Sequence, residues 1–131
     1  MNLLLDTHIW IWNDLEPWRI GFETHRELAN PENELWLSAL SIWELVSLVE
    51  KRKIDLRQDL QRWVEESVQD LGLQQAAVGW EVAQELRTTR LVHADPADRF
   101  LVATAKVYDL TLVTADERLM NVPGVKVLAS R

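Results

Sequence analysis

Four carboxylates in this chain fall where acids can do chemistry: Asp6, Glu44, Asp98 and Asp116. Asp6 directly follows the apolar run Leu3-Leu4-Leu5, and Asp116 comes two residues after Thr111-Leu112-Val113-Thr114. Both are expected at the carboxyl end of a strand, the edge at which open parallel sheets bind ligands. Glu44 lies in Ala39–Val49, a stretch apolar nearly all round and so expected to form a buried helix. Its helical neighbours three and four positions away are Leu40, Ser41, Ser47 and Leu48, none of them a cation. A buried carboxylate without a partner is costly or takes up a proton. The partner of Glu44 must therefore come from elsewhere in the fold, and a metal ion is a candidate. Asp98 stands in the first turn of a helix opened by Asp95-Pro96, whose start should lie beside the strand ends that carry Asp6 and Asp116.

Each acid has an ordinary structural reading as well. Asp6 could be a strand-ending turn residue. Ser41-x-x-Glu44 and Asp95-x-x-Asp98 both resemble capping boxes, although the helix around Glu44 starts before Ser41. Asp116 could cap the short turn Asp116–Met120. Taken one at a time these readings hold their own; taken together they require four coincidences at one sheet edge.

The elements that must position these acids alternate between strand and helix. Leu3–Leu5 is read as a strand buried on both faces, followed by a Trp-rich helix over Thr7–Asn13, a second helix over Trp18–Ala29 and a strand at Glu34–Leu37. Ser38 can cap a helix running to Lys51, and Lys51-Arg52-Lys53 suits the negative end of its dipole. Leu60, Trp63, Val64, Val68 and Leu71 recur at helical spacing over Asp59–Leu71, with Gly72 placed to terminate that helix. A strand over Leu73–Val78, a helix over Gly79–Thr89, a helix from Asp95-Pro96 to Tyr108, and strands at Thr111–Thr114 and Val125–Leu128 complete the pattern, with Pro123-Gly124 making the last turn. Such alternation predicts one α/β domain over residues 1–131, with a mostly parallel central sheet of four or five strands flanked by helices.

Composition bounds the rest. A chain of 131 residues, 47% hydrophobic and 27% charged, suits a single globular core. The absence of cysteine excludes disulfides, thiolate ligands and a cysteine nucleophile, and suits a reducing cytoplasm. No apolar run approaches a membrane span, and the N-terminus lacks the pattern of a signal peptide. A net charge of −7 argues against a nucleic-acid binder, but neutralising four site carboxylates would more than halve it. His8, His25 and His93 have no nucleophile to pair with, so surface or core-edge roles are favoured, and no phosphate-cradling Gly-rich loop occurs. Of the seven tryptophans, Trp43, Trp63 and Trp80 are expected in the core, whereas Trp10, Trp12 and Trp18 could form an apolar surface for a partner helix or second subunit.

The joint pattern Leu3-Leu4-Leu5-Asp6-Thr7-His8, Ser38-Ala39-Leu40-Ser41-Ile42-Trp43-Glu44, Asp95-Pro96-Ala97-Asp98-Arg99-Phe100-Leu101-Val102-Ala103-Thr104-Ala105 and Leu112-Val113-Thr114-Ala115-Asp116 resembles the PIN-domain ribonucleases, and among them the VapC-type toxins of bacterial toxin–antitoxin pairs. The resemblance spans essentially the whole chain in order, and its last two segments are specific as a pair. It implies an α/β/α sandwich and a Mg²⁺- or Mn²⁺-dependent endoribonuclease with Asp6, Glu44, Asp98 and Asp116 as its acidic positions. It also implies a VapB-type antitoxin that blocks the site, and homodimers in many members. On this footing Asp6 and Asp98 are expected as direct metal ligands, with Glu44 and Asp116 completing the shell directly or through water. Arg99 and Arg118 are candidate contacts to RNA phosphate; for the Lys51–Lys53 cluster solvated surface charge is favoured. A related nuclease acting on DNA and a catalytically idle PIN-like binding module are the alternatives. A phospho-acceptor domain would need a second acid beside the first, which Asp6-Thr7-His8 does not supply.

Overall fold

The computed structural model describes residues 1–91 and 95–131. Its elements run β1 (Asn2–Leu5), α1 (Thr7–Leu15), α2 (Phe22–Ala29), β2 (Glu34–Ser38), α3 (Ala39–Glu50), α4 (Leu60–Leu71), β3 (Gln74–Ala76), α5 (Trp80–Glu85), α6 (Pro96–Tyr108), β4 (Thr111–Thr114) and β5 (Lys126–Ala129). The five strands form one sheet in the order β3-β2-β1-β4-β5, every neighbouring pair parallel. The α/β expectation therefore holds.

Strand alternation divides the interior into two layers, because successive side chains point to opposite faces of a sheet. Leu3 and Leu5 of β1, Leu35 and Leu37 of β2 and Val113 of β4 pack on one face against Ile9, Trp10, Leu45 and Trp63. Leu4 and Leu112 pack on the other face against Leu101, Val102 and Ala105 of α6. Helices cover both faces, which is why Leu3-Leu4-Leu5 can be apolar without interruption.

Local chemistry sets the helix ends. Ser38 Oγ accepts the Leu40 N–H at 3.1 Å at the start of α3, and Asp95 Oδ1 accepts the Ala97 N–H at 3.0 Å ahead of Pro96. Gly72, in the left-handed region at φ 61°, closes α4.

Several expectations need correction. The helix expected over Trp18–Ala29 is a 3-10 turn at Pro17–Arg19 and then α2, because buried Ile20 takes an extended backbone and Gly21 caps the helix that follows. The helix expected over Gly79–Thr89 stops at Glu85 and continues as tight turns, with Thr88 and Thr89 N–H bonded to Glu85 and Leu86 carbonyls. The aromatic assignments invert in part. Trp63 is buried at 3% exposure, but Trp43 and Trp80 are 63% and 89% exposed. Trp10 is a core residue, meeting Trp63 edge-on with ring centroids 5.1 Å apart, and its indole N–H donates to Ser67. Trp18 is exposed and Trp12 half-buried.

Candidate active site

The strand order reverses direction between β1 and β4, and a crevice opens beyond the carboxyl ends at such a switch point. Asp6 follows β1 and Asp116 follows β4, the two strands that flank it. The Asp6 N–H donates to the Val113 carbonyl at 2.9 Å, which carries the β1–β4 ladder to the rim. Thr114 then ties the two acids together: its hydroxyl donates to Asp6 Oδ2 at 2.6 Å and accepts the Asp116 N–H at 3.0 Å. Burial pushes the Asp6 carboxyl above its ordinary range and the charge of Asp116 adds to this, while the Thr114 hydroxyl, His8 and the Thr7 N–H oppose it.

Glu44 approaches from α3. That helix is less buried than its composition suggests: Ser41 and Leu45 are its buried positions, and Glu44 is partly exposed toward the crevice. Because Ser38 caps the helix, Ser41-x-x-Glu44 is not a capping box. The partner of Glu44 is instead Thr7, whose hydroxyl donates to Oε1 at 2.7 Å and lies 2.8 Å from Ser41 Oγ. Burial raises the Glu44 pKa above its usual value, helped by the charges of Asp6 and Asp95 and opposed by Thr7 and His8.

Asp98 lies in the first turn of α6 and is largely buried, with Arg118 Nη2 at 3.8 Å. Arg118 also grips Asp116 bidentately, Nε to Oδ1 at 3.1 Å and Nη2 to Oδ2 at 2.8 Å. Asp116 Oδ1 accepts the Arg118 N–H at 2.9 Å as well, so the acid caps the 3-10 turn Glu117–Leu119 in addition to facing the crevice. Arg118 thus lines the site. Arg99 does not: its Nε donates to the Thr89 carbonyl at 2.8 Å and its Nη2 to the Leu86 carbonyl, where it terminates the turns that follow α5. Lys51, Arg52 and Lys53 are exposed at the end of α3. His8 lines the crevice beside Trp12, and His25 contacts the Pro17 carbonyl at the surface. His93 lies outside the described residues.

All four sequence-selected acids, together with Asp95, His8 and Arg118, line a single cleft of about 310 Å³. An apolar cavity of about 540 Å³, walled by Trp43, Leu48, Pro96 and Phe100, adjoins it and shares His8, Glu44 and Asp95. Among the described residues no three acids or imidazoles already converge as a closed ligand cage. The carboxylates that line the cleft suit a hydrated hard cation held by one or two of them and its own waters, the way Mg²⁺ is commonly held. The predominance of carboxylate oxygens, mutual repulsion among the acids and a buried Asp6 all favour a divalent ion there. Sequence reasoning missed Thr7, Ser41 and Thr114, the hydroxyls that hold the acids. The signal was available in principle: a Thr directly after Asp6, a Ser one turn before Glu44, and a Thr two residues before Asp116.

Comparison with known proteins gives a consistent result. Residues 3–125 match the PIN domain. The chain is 32% identical over 123 residues to Ribonuclease VapC22 of Mycobacterium tuberculosis, covering 92% of this chain and 91% of that protein. Its backbone superposes on a chain of the VapBC2 complex of Rickettsia felis, bound to a DNA fragment from its promoter, with a TM-score of 0.75, 16% identity and 100% of both chains covered. The DNA-bound VapBC of Salmonella typhimurium gives a TM-score of 0.68 at 18% identity, with 98% of each chain covered.

Proposed function

The chain belongs to the PIN domain family, and from that membership we propose that it is a divalent-metal-dependent endoribonuclease, the toxin of a toxin–antitoxin pair. The single observation that supports the chemistry is the cleft in which Asp6, Glu44, Asp98 and Asp116, spread over most of the sequence, face one another at the switch point of the sheet.

In this reading Asp6 and Asp98 hold the cation, Mg²⁺ or Mn²⁺, and Glu44 and Asp116 complete its shell directly or through water. When bound, the ion supplies an activated water and charge relief at the scissile phosphate. The protein's own groups do the rest. Thr114 holds Asp6 in place, Thr7 holds Glu44, and Arg118 offers a guanidinium at the cleft mouth that can turn from Asp116 to a phosphate oxygen. In this reading Arg99, occupied with the Leu86 and Thr89 carbonyls, is not a substrate contact.

The partner is a VapB-type antitoxin, as the named relatives suggest, and exposed Trp18, Phe22, Trp43 and Trp80 offer apolar surface to an antitoxin or a second copy. Among the described residues no helix is long and apolar enough to cross a membrane, and the proposed site of action is the cytoplasm.

The test is incubation of the protein with labelled RNA and DNA in Mg²⁺, Mn²⁺ or EDTA, alongside Asp98→Asn. Cleavage of RNA alone, abolished by EDTA and by the substitution, is the expected result. Cleavage that persists without metal refutes the mechanism, and cleavage of DNA instead of RNA refutes the substrate.

A further inference from the structure

Thr7 of α1 and Ser41 of α3 are almost fully buried hydroxyls that meet between the two helices. Thr7 Oγ1 lies within hydrogen-bonding distance of two oxygens at once, Ser41 Oγ at 2.8 Å and Glu44 Oε1 at 2.7 Å. A hydroxyl has one proton to donate, whereas an ionised carboxylate can only accept. The Thr7 proton must therefore point at Glu44, and the Ser41 proton must point at Thr7. The reverse order would leave two oxygens, one of them charged, in contact with no proton between them.

We propose that Ser41 and Thr7 form a one-way hydroxyl relay that presets the Glu44 carboxylate for cation binding, making Thr7 a positioning residue of the site. The relay holds Oε1, and Glu44 lines the cleft, so Oε2 is left to meet an ion there. Three features make the device specific. Thr7 is the residue after Asp6 and opens α1, so the backbone that sets one acid also sets the donor to another. Ser41 sits one turn before Glu44 on the same face of α3, so donor and acceptor ride on one rigid helix. Thr7 Cβ is branched, and its packed methyl restricts the rotation that would swing the hydroxyl away.

The inference rests on the cleft being a cation site, and its test separates the two ideas. Mn²⁺ uptake is measured by calorimetry and by loss of the free-ion electron paramagnetic resonance signal, in the absence of RNA, for wild type, Thr7→Val, Thr7→Ser and Ser41→Ala. Groups that orient metal ligands typically contribute 10- to 100-fold in affinity. Thr7→Val keeps the shape and removes the proton, and is expected to weaken Mn²⁺ binding by about that factor. Thr7→Ser restores most of the affinity, which a merely space-filling role for Thr7 would not predict. Ser41→Ala gives a smaller loss, since Thr7 keeps its proton but loses the donor that aims it. Wild-type uptake that Thr7→Val leaves unchanged overturns the relay alone. Wild-type protein that takes up no Mn²⁺ overturns the cation site and the relay with it. If Thr7→Val does not fold, Ser41→Ala decides, and unchanged affinity there overturns the relay.

Discussion

Asp6→Asn should make the metal-free protein more stable at neutral pH while destroying its activity. The side chain is buried beside Asp116, and its carboxyl is pushed above the ordinary aspartate value of 3.8, first by burial. A group whose pKa is raised in the folded state costs the fold free energy once ionised. The cost is absent below the unfolded value, grows as pH rises toward the folded value, and is complete above it. An uncompensated buried ion costs several kcal/mol. A charge-assisted hydrogen bond such as the 2.6 Å contact from Thr114 returns about 1.5–3 kcal/mol of that. The difference leaves Asp6 a net burden on the order of 1–2 kcal/mol. Asn is nearly the same size, its carbonyl can still accept from Thr114, and its amide can donate to the neighbouring carboxylates. For a chain of this length the gain corresponds to a melting temperature raised by about 3–8 °C. The assay is thermal unfolding of both proteins in EDTA at pH 7 and at pH 4. The gain should be present at pH 7 and shrink at pH 4. Millimolar Mg²⁺ should then raise the wild type but not the variant, since only the wild type gains binding energy from the ion. A variant less stable than wild type at pH 7, or an equal difference at both pH values, refutes the reasoning.

The other predictions follow from neighbouring contacts. Arg99→Met removes two donors from the Leu86 and Thr89 carbonyls and should cost about 1–3 kcal/mol in urea unfolding, with the KM for RNA unchanged; a raised KM would return Arg99 to the substrate site. Arg118→Gln should leave the melting temperature nearly unchanged, because this guanidinium is 58% exposed, yet raise KM for RNA several-fold in steady-state cleavage; an unaltered KM excludes Arg118 from phosphate binding. Trp63→Ala opens a cavity against Trp10 and strands Asp14 without its indole donor, and should cost about 3–5 kcal/mol by denaturant titration. Trp43→Gln should change stability by no more than about 0.5 kcal/mol, since the ring is mostly in solvent.

Much of the fold was legible because its signals are local. The continuous apolar run Leu3-Leu4-Leu5 marked β1, the β-branched-rich Thr111–Thr114 marked β4, Ser38 and Asp95-Pro96 marked helix starts, and Gly72 marked a helix end. Boundaries that depend on packing were not legible. Nothing local to Ile20 says that it will be drawn into the core and break the helix around it. The tryptophans fail for the same reason: Trp10 and Trp12 are two residues apart, yet one packs against Trp63 and the other faces the cleft.

For the site, residue type and position in the sequence were enough to nominate Asp6, Glu44, Asp98 and Asp116, since acids at strand ends and in an apolar helix are chemically conspicuous wherever the chain takes them. What the sequence could not convey is the strand order β3-β2-β1-β4-β5, which puts β1 beside β4 and so brings Asp6 to Asp116 across more than a hundred residues. Nor could it convey that Arg118 turns toward the acids while Arg99 turns away, or that Thr7, Ser41 and Thr114 hold the carboxylates in place. A hydrogen bond depends on distances of a few tenths of an ångström, and those are settled only when distant segments pack.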